Sequence, residues 1–360
     1  MTTAEAISDR AAELLERFLD TGAVRFETDT LMDAGTLLDL YGEDIRARAY
    51  LTGDAVRGEL ALRPDFTVPL VQAHLADPTP ARYAYAGRVY RKQDSDPQRA
   101  FEFIQVGYEV LGADSAAEAE ADVFATIRDA LDTPQLAAVT GDIGVLRAAV
   151  GGLRTSAARK AALLRHLWRP ERFRALLDRF GGRTPVPATR TTLLAQDDPW
   201  AKAPPLAGER TRAEIEARIA ALREDAATPP ISSEEIGLLT TILSLDAPAP
   251  QALGRLRDIC VDMPALEPVL SRMTARLDAL VARDVAVEAV AFKGRYGRTS
   301  LEYYDGFVFG FGKDDQDLTT IATGGRYDAL TARLGGRAIP AVGGVIRPDL
   351  LLAATEDAEC

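Results

Sequence analysis

Residues 82–111 read RYAYAGRVYRKQDSDPQRAFEFIQVGYEVL, and this stretch predicts two strands around a polar loop. Aromatic and branched residues dominate 83–91 and again 101–111, as is typical of strands. Between them, residues 92–97 are charged or polar and end in a proline, which favours a loop. We therefore expect these two segments to be strands of an antiparallel sheet.

The N-terminal side of this sheet segment predicts one helix followed by extended chain. Thr2 and Glu5 have capping-box spacing, and apolar residues then recur on one helical face until Gly22. Residues 24–75 show short apolar segments interrupted by glycines, which predicts extended structure without a long helix.

The C-terminal side predicts helices first and strands later. An amphipathic helix is expected from Ser115 to 131, and helical periodicity dominates about 156–283, with a proline-bearing loop at 185–205. Strand signals return at 287–292 and 303–311. The order indicates a single α+β domain over 1–360, an antiparallel sheet flanked by helices and interrupted by a helical insertion at 156–283.

Composition favours a soluble cytoplasmic protein without a metal or cofactor. Hydrophobic residues make up 47% and charged residues 27%, and neither a membrane span nor a signal peptide is apparent. The two cysteines, Cys260 and Cys360, and the two histidines, His74 and His166, are scattered singly. A disulfide framework and a soft-metal site are therefore not expected, although this count leaves carboxylate-bound magnesium open.

The charge balance argues against a nucleic-acid partner. The formal net charge is −12, whereas proteins that bind polyanions usually carry a surplus of lysine and arginine. We therefore expect neither tRNA nor a membrane as a partner, although a local basic patch is compatible with the total.

Four segments resemble histidyl-tRNA synthetases, which are class II aminoacyl-tRNA synthetases. They follow in the order of that family: LRPDFT at 62–67, GRVYRKQ at 87–93 continuing to FIQVGYE at 103–109, LEYYDG at 301–306 and GGRYD at 324–328. Each alone is a weak signal, but the four in order are specific. The resemblance implies a class II synthetase-like core with a helical insertion, covering nearly the whole chain.

The chemistry of these positions suits free histidine, which carries an ammonium, a carboxylate and an imidazole. Asp65 offers a carboxylate to the ammonium with the Thr67 hydroxyl beside it, and Gln105 suits the polar backbone groups. Glu109, on the same strand face as Gln105, can accept an imidazole N–H. Together with the resemblance, this predicts a histidine-binding set of Asp65, Thr67, Arg91, Gln105, Glu109, Tyr303, Tyr304 and Tyr327.

The phosphate-handling positions depart from the synthetase pattern. Arg91 retains the arginine of the second class II motif, but Gln93 replaces its acidic companion. Thr299 stands where the family has a catalytic arginine, and Arg298 is one place away, which on a strand is the opposite face. The proline of the first motif is also missing, with Asp29 near its place. We expect no catalytic residues and no histidyl-adenylate formation.

The third class II motif also departs from the family. Residues 341–349 read AVGGVIRPD without the family's Glu-Arg pair, and Pro348 is expected to break the helix that would carry the arginine. Only 11 residues follow Asp349, so no anticodon-binding domain is expected.

These departures resemble one branch of the family, the regulatory subunits of ATP phosphoribosyltransferase. The resemblance implies a non-catalytic subunit that the short catalytic chain requires, with L-histidine as feedback effector and a homodimer formed through the class II core. A stand-alone enzyme that activates histidine or another amino acid is the alternative, and a ligand-free scaffold is disfavoured because the pocket residues persist. The site of histidine, in the pocket or at a subunit interface, and the stoichiometry stay open.

Overall fold

The protein was analysed as a computed structural model that describes residues 3–41, 46, 48–92, 100–201, 203, 206, 208–298, 303–313 and 321–358. The strands are β1 Val24–Arg25, β2 Leu31–Asp33, β3 Leu51–Asp54, β4 Gly58–Leu62, β5 Ala81–Tyr90, β6 Glu102–Leu111, β7 Ala137–Asp142, β8 Asp246–Pro248, β9 Val290–Lys293, β10 Phe307–Gly312, β11 Ala322–Arg326 and β12 Ala341–Ile346. The helices are α1 Ala4–Leu19, α2 Ala34–Tyr41, α3 Thr67–Ala76, α4 Ala116–Leu131, α5 Ile143–Gly152, α6 Ala157–Arg165, α7 Pro170–Phe180, α8 Ala188–Leu194, α9 Arg212–Ala227, α10 Ser233–Ser244, α11 Ala249–Asp262, α12 Glu267–Val281, α13 Asp328–Gly335 and α14 Pro348–Ala358.

The main sheet has the strand order β1-β5-β6-β12-β11-β10-β7-β9-β8, and β2, β4 and β3 form a smaller antiparallel sheet. Pairing is antiparallel throughout the main sheet except between β1 and β5 and between β7 and β9. The predicted α+β class with an antiparallel core is confirmed. One continuous hydrophobic cluster joins the sheet to its helices.

The two strands predicted first lie together as β5 and β6. Their register runs from Ala81 opposite Leu111 to Tyr90 opposite Glu102. The predicted loop lies outside the described residues from 93 onward. On its other edge β6 pairs with β12, which sets Gly343 opposite Glu109. Strands β6 and β12 of this three-strand unit supply part of the floor of the site described below.

The first helix is confirmed, with a different cap. The Thr3 hydroxyl accepts the backbone N–H of Ala6 at 3.1 Å, whereas Thr2 lies outside the described residues. Leu14 and Phe18 are fully buried, and Phe18 packs on Tyr108 of β6 with ring centroids 5.4 Å apart. Helix α1 therefore covers the sheet on the side of the predicted strand pair.

The prediction of extended chain over residues 24–75 was wrong for two helices. The Asp33 carboxylate accepts the Thr36 N–H at 2.8 Å and stabilises the start of α2. In α3 the residues Val68, Leu70 and Val71 are fully buried, so the helix has no polar face of the kind that makes helical periodicity visible.

The second capped helix is confirmed by a hydrogen bond from the Glu118 N–H to the Ser115 hydroxyl, at 3.3 Å. From α4 the Phe124 ring contacts two phenylalanines of β10, with centroid distances of 5.4 Å to Phe309 and 5.0 Å to Phe311. Helix α4 therefore holds the sheet behind the strands that carry the site.

Residues 156–283 contain helices α6 to α12 and one short strand that the sequence did not indicate. Strand β8 has three residues and pairs with β9 at the sheet edge, too short for an alternating pattern. Helix α8 lies inside the segment predicted as a loop, and it buries none of its residues. The two later strands begin at Val290 and Phe307, a few residues after the predicted starts.

Among the described residues, no helix is long and apolar enough to cross a membrane. Nor does that part of the chain bring together three or more cysteine, histidine or acidic side chains in a group able to hold a metal ion.

Candidate functional site

One cavity collects all the predicted ligand-binding side chains. It has a volume of about 350 Å³, counted to its open mouth, and lies over β6, β11 and β12. Its lining comprises Asp65, Thr67, Arg91, Gln105, Glu109, Tyr303, Tyr304, Thr323, Tyr327, Gly343, Gly344 and Val345. The eight residues singled out from sequence thus converge in space, and their ligand stays a prediction.

Glu109 lies at the floor of this cavity and accepts three hydroxyl hydrogen bonds. The hydroxyls of Tyr85 and Thr67 donate to its Oε1 at 2.9 and 3.3 Å, and that of Tyr327 donates to its Oε2 at 2.7 Å. Because a carboxylate offers about four acceptor positions, one stays available toward the cavity. The side chain is held in one orientation with acceptor capacity for a ligand donor.

Burial sets the protonation of this carboxyl group. Removal from water raises the pKa of Glu109 from 4.5 to about 7, and the negative charge of Asp65 adds to the rise. The hydroxyl donors of Tyr327, Tyr85 and Thr67 favour the charged form and oppose it. Near neutral pH the Glu109 carboxyl group can therefore accept a hydrogen bond in its charged form or donate one in its protonated form. A neutral imidazole has one nitrogen that donates and one that accepts, so the carboxyl group can pair with either of them.

Two glycines create the space in which Glu109 sits. A Cβ added to Gly343, on the neighbouring strand, would overlap Glu109 Oε2. A Cβ at Gly107, two residues before Glu109, would overlap the ring of Tyr85. Side chains at either position would displace the carboxylate or its donor.

Asp65 forms a second acidic group at the cavity, between β4 and α3. Its carboxylate accepts the N–H of Val68 at 3.3 Å, and only 7% of the residue is exposed. Burial raises the pKa of Asp65, while the charge of Arg91 and the N–H groups of Val68 and Thr67 oppose the rise. A ligand ammonium would supply the counter-charge that favours ionised Asp65.

Gln105 supplies an unmatched acceptor. The residue is 3% exposed, and its Oε1 is buried with no hydrogen-bond partner in the described part of the chain. Buried polar atoms are normally paired, so an orphan on a cavity wall indicates a position for a ligand donor.

Three tyrosines form an aromatic wall. The ring of Tyr303 meets those of Tyr304 and Tyr327 edge to face, with centroid distances of 5.0 and 5.9 Å. All three residues are at most 9% exposed, and burial raises the pKa of Tyr304 further above its ordinary value. The wall suits a flat ring, and the acceptors in the same cavity suit its polar groups.

The sequence analysis missed Tyr85 and the two glycines. Tyr85 is one of several aromatic residues on β5, and this sequence pattern does not indicate its hydrogen bond to Glu109. In the sequence, Gly343 lies in the third class II motif, which departs from the family pattern. Its proximity to Glu109 comes from the pairing between β12 and β6, which the sequence does not show. Only the strand register reveals these roles.

Arg298 lies away from the cavity, in agreement with the inference that it does not replace the synthetase arginine. Its Nε donates to the Leu167 carbonyl at 2.8 Å, and its guanidinium lies 4.9 Å from the ring centroid of Phe173 in α7. Thr299 and Gln93, the other two substituted phosphate positions, lie outside the described residues.

The expectation that Pro348 breaks a helix was wrong. Helix α14 begins at Pro348, because the first position of a helix needs no backbone N–H. Arg347, just before it, donates to Asp349 at 2.9 and 2.5 Å and covers the ring of Phe103 at 3.7 Å. Arg347 is therefore engaged with its neighbours and does not line the cavity. Asp29, at the first-motif position, is exposed between β1 and β2.

Comparison with known proteins adds three findings. The family model of histidyl-tRNA synthetase matches residues 2–198 and 204–351. A curated relative from Agrobacterium fabrum, "ATP phosphoribosyltransferase regulatory subunit", is 34% identical over 355 residues, covering 92% of this chain and 93% of the relative.

Solved structures agree on the fold. An ATP phosphoribosyltransferase regulatory subunit/histidyl-tRNA synthetase from Bacillus halodurans aligns with a TM-score of 0.68 at 22% identity, over 98% of this chain and 81% of that one. Histidyl-tRNA synthetase from Nostoc sp. PCC 7120 aligns with a TM-score of 0.65 at 16% identity, over 98% of this chain and 72% of that one. At these identities the likeness supports the class II fold.

Proposed function

The chain belongs to the regulatory subunits of ATP phosphoribosyltransferase, a branch of the histidyl-tRNA synthetase family, and from this we propose that it binds free L-histidine and controls a separate catalytic chain. The catalytic chain is the short form of ATP phosphoribosyltransferase, which depends on this subunit for activity. Bound histidine lowers that activity, so the product of the pathway limits its first step. The chain itself forms no histidyl-adenylate and charges no tRNA.

The observation that carries the proposal is the chemistry of the cavity. Two buried carboxyl groups, Asp65 and Glu109, and the unmatched acceptor of Gln105 line one cavity together with three tyrosines. This set matches an amino acid with a ring that bears N–H groups: Asp65 takes the ammonium, Glu109 an imidazole N–H and Gln105 a further donor. Arg91 at the lining offers positive charge to the ligand carboxylate.

The absence of catalysis is inferred from the phosphate-handling positions. A synthetase stabilises the charge that develops on ATP with positioned cations, each worth orders of magnitude in rate. Here Arg298 is directed toward Leu167 and Phe173, and Arg347 pairs with Asp349. Of the three described arginines Arg91, Arg298 and Arg347, Arg91 alone would be left to contact the nucleotide phosphates.

Control requires that histidine favour one arrangement of the complex over another. A ligand shifts such an equilibrium only by its difference in affinity for the two arrangements. The subunit must therefore hold the catalytic chain in an active arrangement when the cavity is empty, and bind histidine more tightly in a less active one.

Reconstitution tests the proposal. The purified chain is mixed with a short catalytic chain from the same organism, and phosphoribosyl transfer is followed with and without histidine. Turnover should rise on mixing and fall again with histidine. A mixture that shows neither co-elution nor any change in rate, or histidine-dependent pyrophosphate exchange by the chain alone, would favour the stand-alone amino-acid-activating enzyme instead.

A further inference from the structure

The segment that includes α6, α7 and the turn between them carries a surplus of positive charge on an acidic protein. Residues 154–190 contain ten Lys or Arg and two Asp or Glu, a formal charge of +8 in a chain whose total is −12. Arg165, Arg169 and Arg172 are exposed around His166, and Glu171 is exposed among them. Burial lowers the pKa of His166, and the charges of the three arginines lower it further. We call these three arginines the basic corner.

Three cations of this region share one carboxylate of α9. Asp225 alone pairs with Arg159 at 2.7 Å, Arg179 at 2.9 Å and Arg190 at 2.6 Å, so one carboxylate serves three guanidinium groups. Under the turn, the Nη2 of Arg298 is buried with no hydrogen-bond partner among the described residues. A surplus of this kind favours an external partner that brings carboxylates.

The surroundings narrow the class of partner. Residues 154–183 are all described, and none of them is an exposed large hydrophobic side chain, which disfavours insertion into a membrane surface. A nucleic acid would extend beyond the basic corner onto the rest of the chain. The residues outside 154–190 carry a formal charge of −20, which is −12 minus +8, and would repel it. A folded protein with a local acidic face meets the corner without that repulsion.

We propose that the basic corner is the docking surface for a carboxylate-rich face of the catalytic ATP phosphoribosyltransferase chain. This inference rests on the proposed function and adds where the partner binds. The three arginines form the electrostatic contact, which steers association and fixes the orientation of the partner.

The turn also contacts a residue that lies close to the cavity tyrosines in the sequence. The Leu167 carbonyl, inside the turn, accepts the Nε–H of Arg298 at 2.8 Å. Arg298 precedes the cavity tyrosines Tyr303 and Tyr304 by only a few residues in the chain.

Charge reversal tests the docking surface. The Arg165→Glu/Arg172→Glu variant and a matched Arg218→Glu/Arg255→Glu control, with exposed arginines on α9 and α11, each change the charge by the same amount. Affinity for the purified catalytic chain is measured by biolayer interferometry in low salt and in about 0.5 M salt. The corner variant should bind at least about tenfold more weakly in low salt, mainly through slower association, and the difference should shrink in high salt.

The outcomes separate the two proposals. If the wild-type chain binds the catalytic chain and both double variants weaken it equally, the docking surface lies elsewhere and the regulatory function stands. If wild type shows no binding at all, the regulatory function and the docking surface both fail. Weakened binding of a duplex RNA probe by the corner variant alone, with the catalytic chain bound normally, would reassign the corner to nucleic acid. Unchanged circular dichroism and thermal unfolding of each variant exclude misfolding.

Discussion

Glu109→Gln should make the protein more stable at high pH relative to wild type. The glutamine side chain is nearly isosteric with glutamate, and its carbonyl oxygen and NH₂ group can still bond the hydroxyls of Tyr85, Thr67 and Tyr327, which now surround the carboxylate. Only the buried charge is removed. The substitution therefore isolates the cost of ionising this group in the fold.

The sign and size follow from the pKa of Glu109, raised from 4.5 to about 7 by burial. A group with a raised folded-state pKa contributes stability that is fully present below pH 4.5 and is lost as pH rises through about 7. The loss in wild type between pH 5 and pH 8 is about 2–3 kcal/mol, at about 1.4 kcal/mol for each pH unit of displacement. The variant lacks this loss.

Urea-induced equilibrium unfolding at pH 5 and pH 8 measures the effect, with both proteins at one concentration because association changes apparent stability. Glu102→Gln is the matched control, since Glu102 lies on the same strand in a solvent-exposed ion pair with Arg88, and such pairs contribute little to stability. Tyr327→Phe should enlarge the loss with pH, because its hydroxyl lowers the pKa of Glu109. A stability difference between wild type and Glu109→Gln that is the same at both pH values would refute the assignment of a buried, costly charge.

Three further outcomes are expected. Glu109→Ala should weaken histidine binding by about tenfold or more in calorimetry, since a charged hydrogen bond is worth roughly 1.5–3 kcal/mol; equal affinity would move the site elsewhere. Gly343→Ala should destabilise the protein by about 1–3 kcal/mol and weaken histidine binding, because the new methyl group overlaps Glu109. The control Gly237→Ala in α10 meets nothing within 4 Å and should be neutral or stabilising, and a larger loss of stability in this control than in Gly343→Ala would contradict the packing argument. Light scattering at micromolar concentration should show a homodimer formed through the N-terminal half, where Val24 and Phe101 are exposed, and a monomer would count against it.

The cavity could be anticipated from sequence because strand periodicity is local. Gln105 and Glu109 are four residues apart on β6, so they necessarily share a face. The tyrosines of the two later segments were placed by the order of the motifs, and the structure brings them to the same cavity. Matched order along the chain thus carried information on three-dimensional proximity.

The contacts that depend on register could not be anticipated. Gly343 faces Glu109 only because β12 pairs with β6 at that offset, and Tyr85 reaches the same carboxylate from β5. Helix α3 was missed because apolar residues are spread around it, its exposed positions including Ala73 and Ala76, so it shows no amphipathic pattern. The prediction for Pro348 was wrong because the effect of a proline depends on its position in the helix. A proline in the interior breaks a helix, whereas a proline at the first position favours its start.

The most direct test of the account is histidine inhibition of the reconstituted complex, compared between wild type and Glu109→Gln. Each complex is assayed against its own histidine-free rate, with the catalytic chain in the same amount. The account predicts that half-inhibition of the variant complex requires at least about tenfold more histidine, because the ligand loses a charged acceptor in the cavity. Half-inhibition of both complexes at the same histidine concentration would contradict it and place the regulatory site outside this cavity.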